Sequence, residues 1–154
     1  LEKGLEEDQI NQWLEHQKKL KSGIGSQKIR EGLPGKSKRW QLEDGLLASA
    51  GRNAKENVSL LKKAKPWDIW LHLRDYPGAY GFIHRNKNQE VSQDTLYKVG
   101  RWLAKMSLKQ KVENLDKVDV VLCEVRYLKL IKGDRLGRVQ FRNESTMTIK
   151  LHDT

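Results

Sequence analysis

The sequence predicts an α+β domain: a mainly antiparallel sheet of about seven strands with two core helices gathered on one side, preceded by an N-terminal helix. Three observations predict this. Short runs that alternate apolar with polar residues, or are apolar throughout, recur between turn signals and read as strands. Two longer segments, opening at Asn53 and Ser92, carry apolar residues three and four apart behind residues that cap helices. Strands and helices do not alternate strictly and no internal repeat is present, which argues against a parallel βαβ architecture.

Residues 1–21 read as a polar helix with a thin apolar stripe, Ile10, Trp13, Leu14 and Leu20, that docks on the domain or pairs with a partner helix. Residues 22–38 change character. Gly23, Gly25, Gly32, Pro34 and Gly35 are interspersed with Lys28, Arg30, Lys36 and Lys38, the composition of a flexible basic linker. Such a linker either orders on a phosphate backbone or stays a solvated tether. The folded unit is expected over residues 39–154. Trp40 and Leu42 alternate, Asp44-Gly45 signals a tight turn and Leu46 to Ala50 returns, which predicts a hairpin.

Gly51-Arg52-Asn53 leads into the first core helix, where Asn53 with Glu56 three residues later forms an Asx version of a capping box. Ala54, Val58 and Leu61 are expected to face the core, with Asn53 and Asn57 together one position round. The unpaired amides of a helix start, beside Arg52, offer a phosphate seat. Equally, Asn53 only caps and Arg52 is a surface charge. Lys55, Lys62, Lys63 and Lys65 extend the basic surface along the same helix.

The strand from Asp68 to Asp75 is the most unusual stretch. Ile69, Leu71 and Leu73 point one way, while Asp68, Trp70, His72 and Arg74 share the other face. An acid, an indole, an imidazole and a guanidinium in a row are costly to bury, so that face is read as functional. The plainer alternative is that Trp70 packs under a helix and the polar groups decorate an edge. Asp75-Tyr76-Pro77-Gly78 is a turn, and Ala79 to His84 is the next strand, with Tyr80 and His84 on one face. Ser92 caps a helix running to about Leu108, with Leu96, Val99, Leu103 and Met106 on its buried side and Trp102 at the flank. Val118 to Val125 is an apolar strand extended toward Leu130, Gly133 to Gly137 a basic turn. A closing hairpin is predicted from Val139 and Phe141, the turn Asn143-Glu144-Ser145, and Met147, Ile149 and Leu151.

Composition bounds the function. The 154 residues, 37% hydrophobic and 32% charged, fit one soluble globular domain. No run of about 18 apolar residues is present, and no membrane partner is expected. The chain opens on Leu1, so it is read as a fragment or a trimmed form. Its net charge of +10, from 30 basic and 20 acidic residues, points to a polyanion partner. Cys123, the only cysteine, excludes an intrachain disulfide and fits a reducing, cytoplasmic compartment; its apolar strand makes it a buried thiol.

No convincing catalytic set is readable, no Cys or His pair sits at zinc spacing, and no Gly-rich nucleotide loop precedes a helix. Neither a metal nor a cofactor is expected. From Lys28 to Arg74, eleven basic residues stand against five acidic ones, +6 of the total +10. Aromatic and basic residues interleave there, the pattern of looped or single-stranded RNA recognition, in which each stacked base contributes roughly 1–3 kcal/mol.

Several blocks carry a family resemblance: Gly51-Arg52-Asn53 with Asn57, then Asp68-Ile69-Trp70-Leu71-His72, then Pro77-Gly78, then a helix ending in Ala104-Lys105-Met106-Ser107. They resemble the RNA-binding domain called NFACT-R, whose pattern is roughly G-R-N-x-x-x-N, D-h-W-h-H, P-G-S-H and a helix closing on a serine. The match runs from about Arg39 to Leu151, and the order and spacing of the blocks make it far more specific than any single motif. The resemblance implies a domain that is C-terminal in larger proteins of ribosome-associated quality control. Those proteins bind the obstructed large subunit and tRNA and support C-terminal tailing of stalled chains. Their N-terminal domain, helix-hairpin-helix modules and long coiled coil are not readable here, so a stand-alone member or an excised domain is expected. The chain departs from the pattern at Ala79-Tyr80, where the family usually has serine and histidine. If that histidine takes part in chemistry, this protein has lost it; if it only stacks or hydrogen-bonds, Tyr80 substitutes.

The resulting expectation is an RNA-binding module directed at tRNA or ribosomal RNA, including the large ribosomal subunit, with no chemistry of its own. Arg52, Asn53, Lys55 and Asn57 would hold a phosphate or sugar. Asp68, Trp70, His72 and Arg74 would present the recognition face, with Trp70 or His72 stacking and Asp68 orienting a donor, and Pro77, Gly78 and Tyr80 would complete the site. Two alternatives stand beside it: an RNA-processing or RNA-modifying domain in which Asp68 and His72 form an acid/base pair, and a protein-interaction module acting through the helix at 1–21.

Overall fold

The computed structural model describes residues 37–135 and 137–152. The helix expected at 1–21, and the linker at 22–38 up to residue 36, lie outside the described residues. Strand β1, Lys38–Gln41, pairs antiparallel with β2, Leu47–Ala50. Between them Asp44 and Gly45 take φ angles of 56° and 77°, a left-handed conformation that aspartate and glycine tolerate best. Helix α1, Ala54–Lys63, follows, then β3, Ile69–Leu73, and β4, Gly81–His84. Helix α2, Gln93–Leu108, begins where Ser92 accepts a hydrogen bond from the Thr95 amide at 3.1 Å. The chain then forms β5, Lys117–Glu124, β6, Leu128–Leu130, β7, Val139–Phe141, and β8, Ser145–Lys150.

Six strands form one sheet in the order β1-β2-β4-β3-β5-β8, every pairing antiparallel, and β6 and β7 make a separate ribbon. The expected α+β class with a mainly antiparallel sheet is the one observed. Other expectations need correction. The two helices divide between the faces of the sheet. Leu96, Val99, Leu103, Ala104 and Leu108 of α2 join Leu71, Val120 and Ile149 in one core cluster, whereas Leu60 of α1 joins Trp70, Phe82, Val121 and Cys123 in the other. The cause is visible in β5, where Val120 and Leu122 feed one cluster and Val121 and Cys123 the other. A strand apolar at consecutive positions is buried on both faces and needs cover on both.

The long strand expected from Val118 toward Leu130 is broken by a 3-10 turn at Val125–Tyr127, which swings β6 out of the sheet. The closing hairpin does not form either. β7 pairs with β6, and β8 returns to β5 with Lys117 opposite Lys150. Alternation identifies a strand's faces and leaves its partner open. Helix α1 is also rotated relative to expectation: Glu56, Asn57 and Leu60 are buried, while Ala54, Val58 and Leu61 are half-buried. The inward turn of Glu56 and Asn57 has a polar cause, set out below. No helix among the described residues is long and apolar enough to cross a membrane.

Candidate functional site

A cleft of about 690 Å³ opens where the start of α1, the β3–β4 turn and the end of α2 meet. Three backbone approaches build it. At the first, a methyl on Gly51 would fall within 2.7 Å of the Asn57 amide nitrogen, so only glycine fits there. The Gly51 amide donates to the Tyr80 carbonyl at 3.1 Å, and the Tyr80 amide donates to Asn57 Oδ1 at 3.1 Å. Asn57 thus laces the α1 side of the cleft to the entry of β4, which explains its burial. At the second, a methyl on Gly78 would lie 2.5 Å from Ser107 Cβ and Oγ, while the Ala79 amide donates to Ser107 Oγ at 3.1 Å. The final serine of α2 therefore holds the Pro77-Gly78 turn. At the third, Tyr80 Oη donates to the Gly137 carbonyl at 2.8 Å and anchors the loop before β7.

The helix start is organised by its own side chains. Asn53 Oδ1 accepts from the Glu56 amide at 2.9 Å. Glu56 reaches back past the cap, accepting from the Arg52 amide at 2.8 Å and pairing with its guanidinium at 2.7 Å. Arg52 is thus aimed by Glu56, and its side chain remains 43% exposed at the cleft. The amides of Ala54 and Lys55, first in the helix, have no helical carbonyl to donate to and carry the positive end of the helix dipole.

The floor is aromatic. The His72 ring stacks on Trp70 at 5.8 Å and 11° and meets the Tyr80 ring edge-on at 5.2 Å and 86°. Burial lowers the His72 pKa, a hydrogen bond to the Gly78 backbone opposing in part, so the ring is neutral near pH 7. Burial also raises the Tyr80 pKa, helped by the charge of Asp134, which keeps the phenol a donor.

Of the residues singled out from the sequence, the structure brings Arg52, Asn53, Asn57, His72, Pro77, Gly78 and Tyr80 to this one cleft. Lys55 and Arg74 are exposed and do not line it. Trp70 and Asp68 require correction. Trp70, 1% exposed, lies beneath His72 and Tyr80 and offers no open stacking face. Asp68 is fully buried, accepting from the amides of Lys65 at 3.0 Å and Arg85 at 3.2 Å and hydrogen-bonded to His84 Nδ1 at 2.9 Å. His84 Nε2 in turn meets Ser49 Oγ at 2.7 Å. The acid/base pair of Asp68 with His72 does not form, because Asp68 lies in this closed network tying β2, β3 and β4 together. Ser49, His84 and Asp68 have the order of a hydrolytic triad, yet all are at most 1% exposed and none lines the cleft.

Lys38, read from the sequence as the last cation of the basic linker, is the first residue of β1; with Lys109 and Arg138, which sequence reasoning missed, it joins Arg52 among the cations of the cleft. Arg138 is aimed by Asp134 at 2.6 Å, as Arg52 is by Glu56. The one signal for Lys109 and Arg138 was the overall positive charge, and for Lys38 the basic segment it closes. They converge from the edge strand, the end of α2 and the loop before β7.

No family model matches the chain. Over 111 residues it is 26% identical to the protein named Rqc2 homolog RqcH from Bacillus subtilis, covering 71% of this chain and 18% of that protein. Over 136 residues it is 28% identical to the protein of the same name from Streptococcus suis, covering 84% and 23%. The C-terminal part of the fibronectin/fibrinogen-binding protein from Streptococcus suis has a similar structure, with a TM-score of 0.66, 26% identity, and coverage of 76% of this chain and 46% of that one. The chain is thus homologous to the Rqc2/RqcH proteins of the NFACT family, at low identity over most of its length, in line with the NFACT-R resemblance of its sequence blocks. It spans about a fifth of the length of the curated relatives it matches.

Proposed function

We propose that this domain binds RNA through the cleft, with tRNA or ribosomal RNA as ligand, as a module of ribosome-associated quality control in the cytoplasm. The observation that carries the reading is the cleft's composition: among the described residues Lys38, Arg52, Lys109 and Arg138 line it, and no carboxylate does. A phosphate seated at Arg52 meets the open amides of α1 as well as the guanidinium. Glu56 and Asp134 pre-order two of the four cations, which lowers the conformational cost of engaging a ligand. The neutral His72 ring, held in plane by Trp70 and Tyr80, offers a flat surface to a base or ribose beside the phosphate. The homology to Rqc2/RqcH proteins supports the quality-control setting, and the net charge of +10 supports a polyanion ligand.

The test is affinity for tRNA and for large-subunit rRNA fragments across a salt series. With four cations engaged, log K against log salt should have a slope of about −3. Arg138→Ala and Lys109→Ala should each flatten it by about one while leaving thermal stability unchanged. A slope near zero, or variants that bind as tightly as the parent, refutes the reading.

A further inference from the structure

We infer that the β6–β7 ribbon carries a second nucleic-acid contact, a stacking site for an unpaired base of the RNA held in the cleft; this rests on the cleft reading above. Phe141 is 42% exposed, and among the described residues only Ile131 is a comparably exposed large apolar side chain. Its ring packs 5.5 Å from Trp70, so it is supported from behind and open in front. Beside it is a hollow of about 490 Å³, lined by Tyr127 and Phe141 and by the cations Arg126, Lys129 and Arg142, with no carboxylate among the described residues of the lining. The Arg142 guanidinium lies over the Tyr127 ring at 5.6 Å.

This chemistry selects among occupants. Arg126 already pairs with Glu124 at 3.0 Å. An apolar protein surface would still have to desolvate Lys129 and Arg142 with no carboxylate to meet them, whereas a single nucleic-acid strand supplies a flat base for the aromatic rings and phosphates for these cations. Continuity with the cleft indicates that the strand belongs to the same RNA. Arg138 lines the cleft and Phe141 the hollow, three positions apart on nearly extended chain, about 10 Å. Trp70 touches both sites, His72 in the cleft at 5.8 Å and Phe141 at the hollow at 5.5 Å. The hydrogen bond from Tyr80 to Gly137 fixes the root of the ribbon to the cleft floor. Although positions 138 and 141 point to opposite faces of the extended chain, the two sites share Trp70 as their common support, so an RNA strand leaving the cleft has Phe141 within reach.

The experiment compares two RNAs on the full chain, a blunt hairpin and the same hairpin with an unpaired tail. Phe141→Ala should weaken the tailed RNA about 5- to 150-fold and leave the blunt one unchanged. Phe141→Leu preserves the cover over Trp70 and should show most of the same loss, which separates stacking from misfolding. Arg138→Ala should weaken both RNAs. If Arg138→Ala weakens both while the two Phe141 variants bind both as the parent does, the ribbon site is refuted and the cleft stands; a protein or other partner then owns the patch. Equal losses on blunt and tailed RNA for the Phe141 variants also refute stacking of an unpaired base. If the parent binds neither RNA, the cleft reading has failed and the ribbon site falls with it.

Discussion

Replacing Gly78 with alanine should destabilise the domain, and replacing Ser107 with glycine should remove that penalty. The new methyl would lie 2.5 Å from both Ser107 Cβ and Oγ, where carbon contacts normally settle near 3.5–4.0 Å. One side must therefore move by about 1 Å, which for overpacking of this kind costs about 1–3 kcal/mol. That corresponds to a fall in Tm of about 4–12 °C for a domain of this size. Gly78 is not in the left-handed region, so alanine brings no backbone strain of its own. With Ser107→Gly the nearest remaining atom is the Cα at 3.6 Å, an ordinary contact. Ser107→Gly alone costs about 1–3 kcal/mol, because the Ala79 amide loses its acceptor and a helix gains a glycine. In its background Gly78→Ala should be neutral, or stabilising by up to about 1 kcal/mol through the unfolded chain. Ser107→Ala keeps the Cβ and should not rescue. Urea denaturation of the parent, the single variants and both doubles measures the coupling. Additive effects, with no interaction beyond about 0.5 kcal/mol, would show that Gly78 and Ser107 do not hold each other and that the cleft floor is built otherwise.

Three further outcomes are expected. Asp68→Ala strips the acceptor from the amides of Lys65 and Arg85 and from His84; it should cost about 3–5 kcal/mol by denaturation, and a fully stable variant with weakened RNA affinity would return Asp68 to the recognition face. The His72 pKa is lowered by burial, so as pH falls below about 6.5 the unfolded chain takes up the proton first; the His72 contribution to stability is complete above that pH and is lost on acidification toward the folded-state value. His72→Gln should flatten that limb of the Tm-versus-pH curve, and an unchanged limb would show that His72 is not its source. Burial pushes the Cys123 thiol up to about 11, so a thiol reagent at pH 8 should modify the protein only after unfolding; prompt reaction of the native domain would contradict the packing around β5.

What the sequence announced, and what it concealed, follows from the range of each signal. The hairpin of β1 and β2, the caps at Asn53 and Ser92 and the buried thiol are set by residues within a few positions of one another, and all were readable. Asp68 was misread because its partners, His84 and the Arg85 amide, come from a strand whose pairing is not written in the local pattern. An acidic residue beside Trp70 looks exposed until β4 is laid against β3. The same limit hid the exchange of partners by β7 and β8. Cleft membership was half legible. Gly51, Asn57, Gly78 and Ser107 stood out as blocks, but their meaning, two backbone approaches that admit no side chain, required coordinates. Lys109 and Arg138 were invisible individually, since an isolated cation at the end of an element carries no local signature.

The strand order has a temporal consequence. Of the pairings in the main sheet, β1 with β2 and β3 with β4 join neighbours in sequence, whereas β2 with β4, β3 with β5 and β5 with β8 close long stretches of chain. Contacts of that kind form late and slowly. The cleft needs residues from 38 to 138, so no early intermediate and no chain that stops before β7 possesses it. A domain proposed to serve interrupted translation would thus gain its grip on RNA only after its own translation had passed the ribbon.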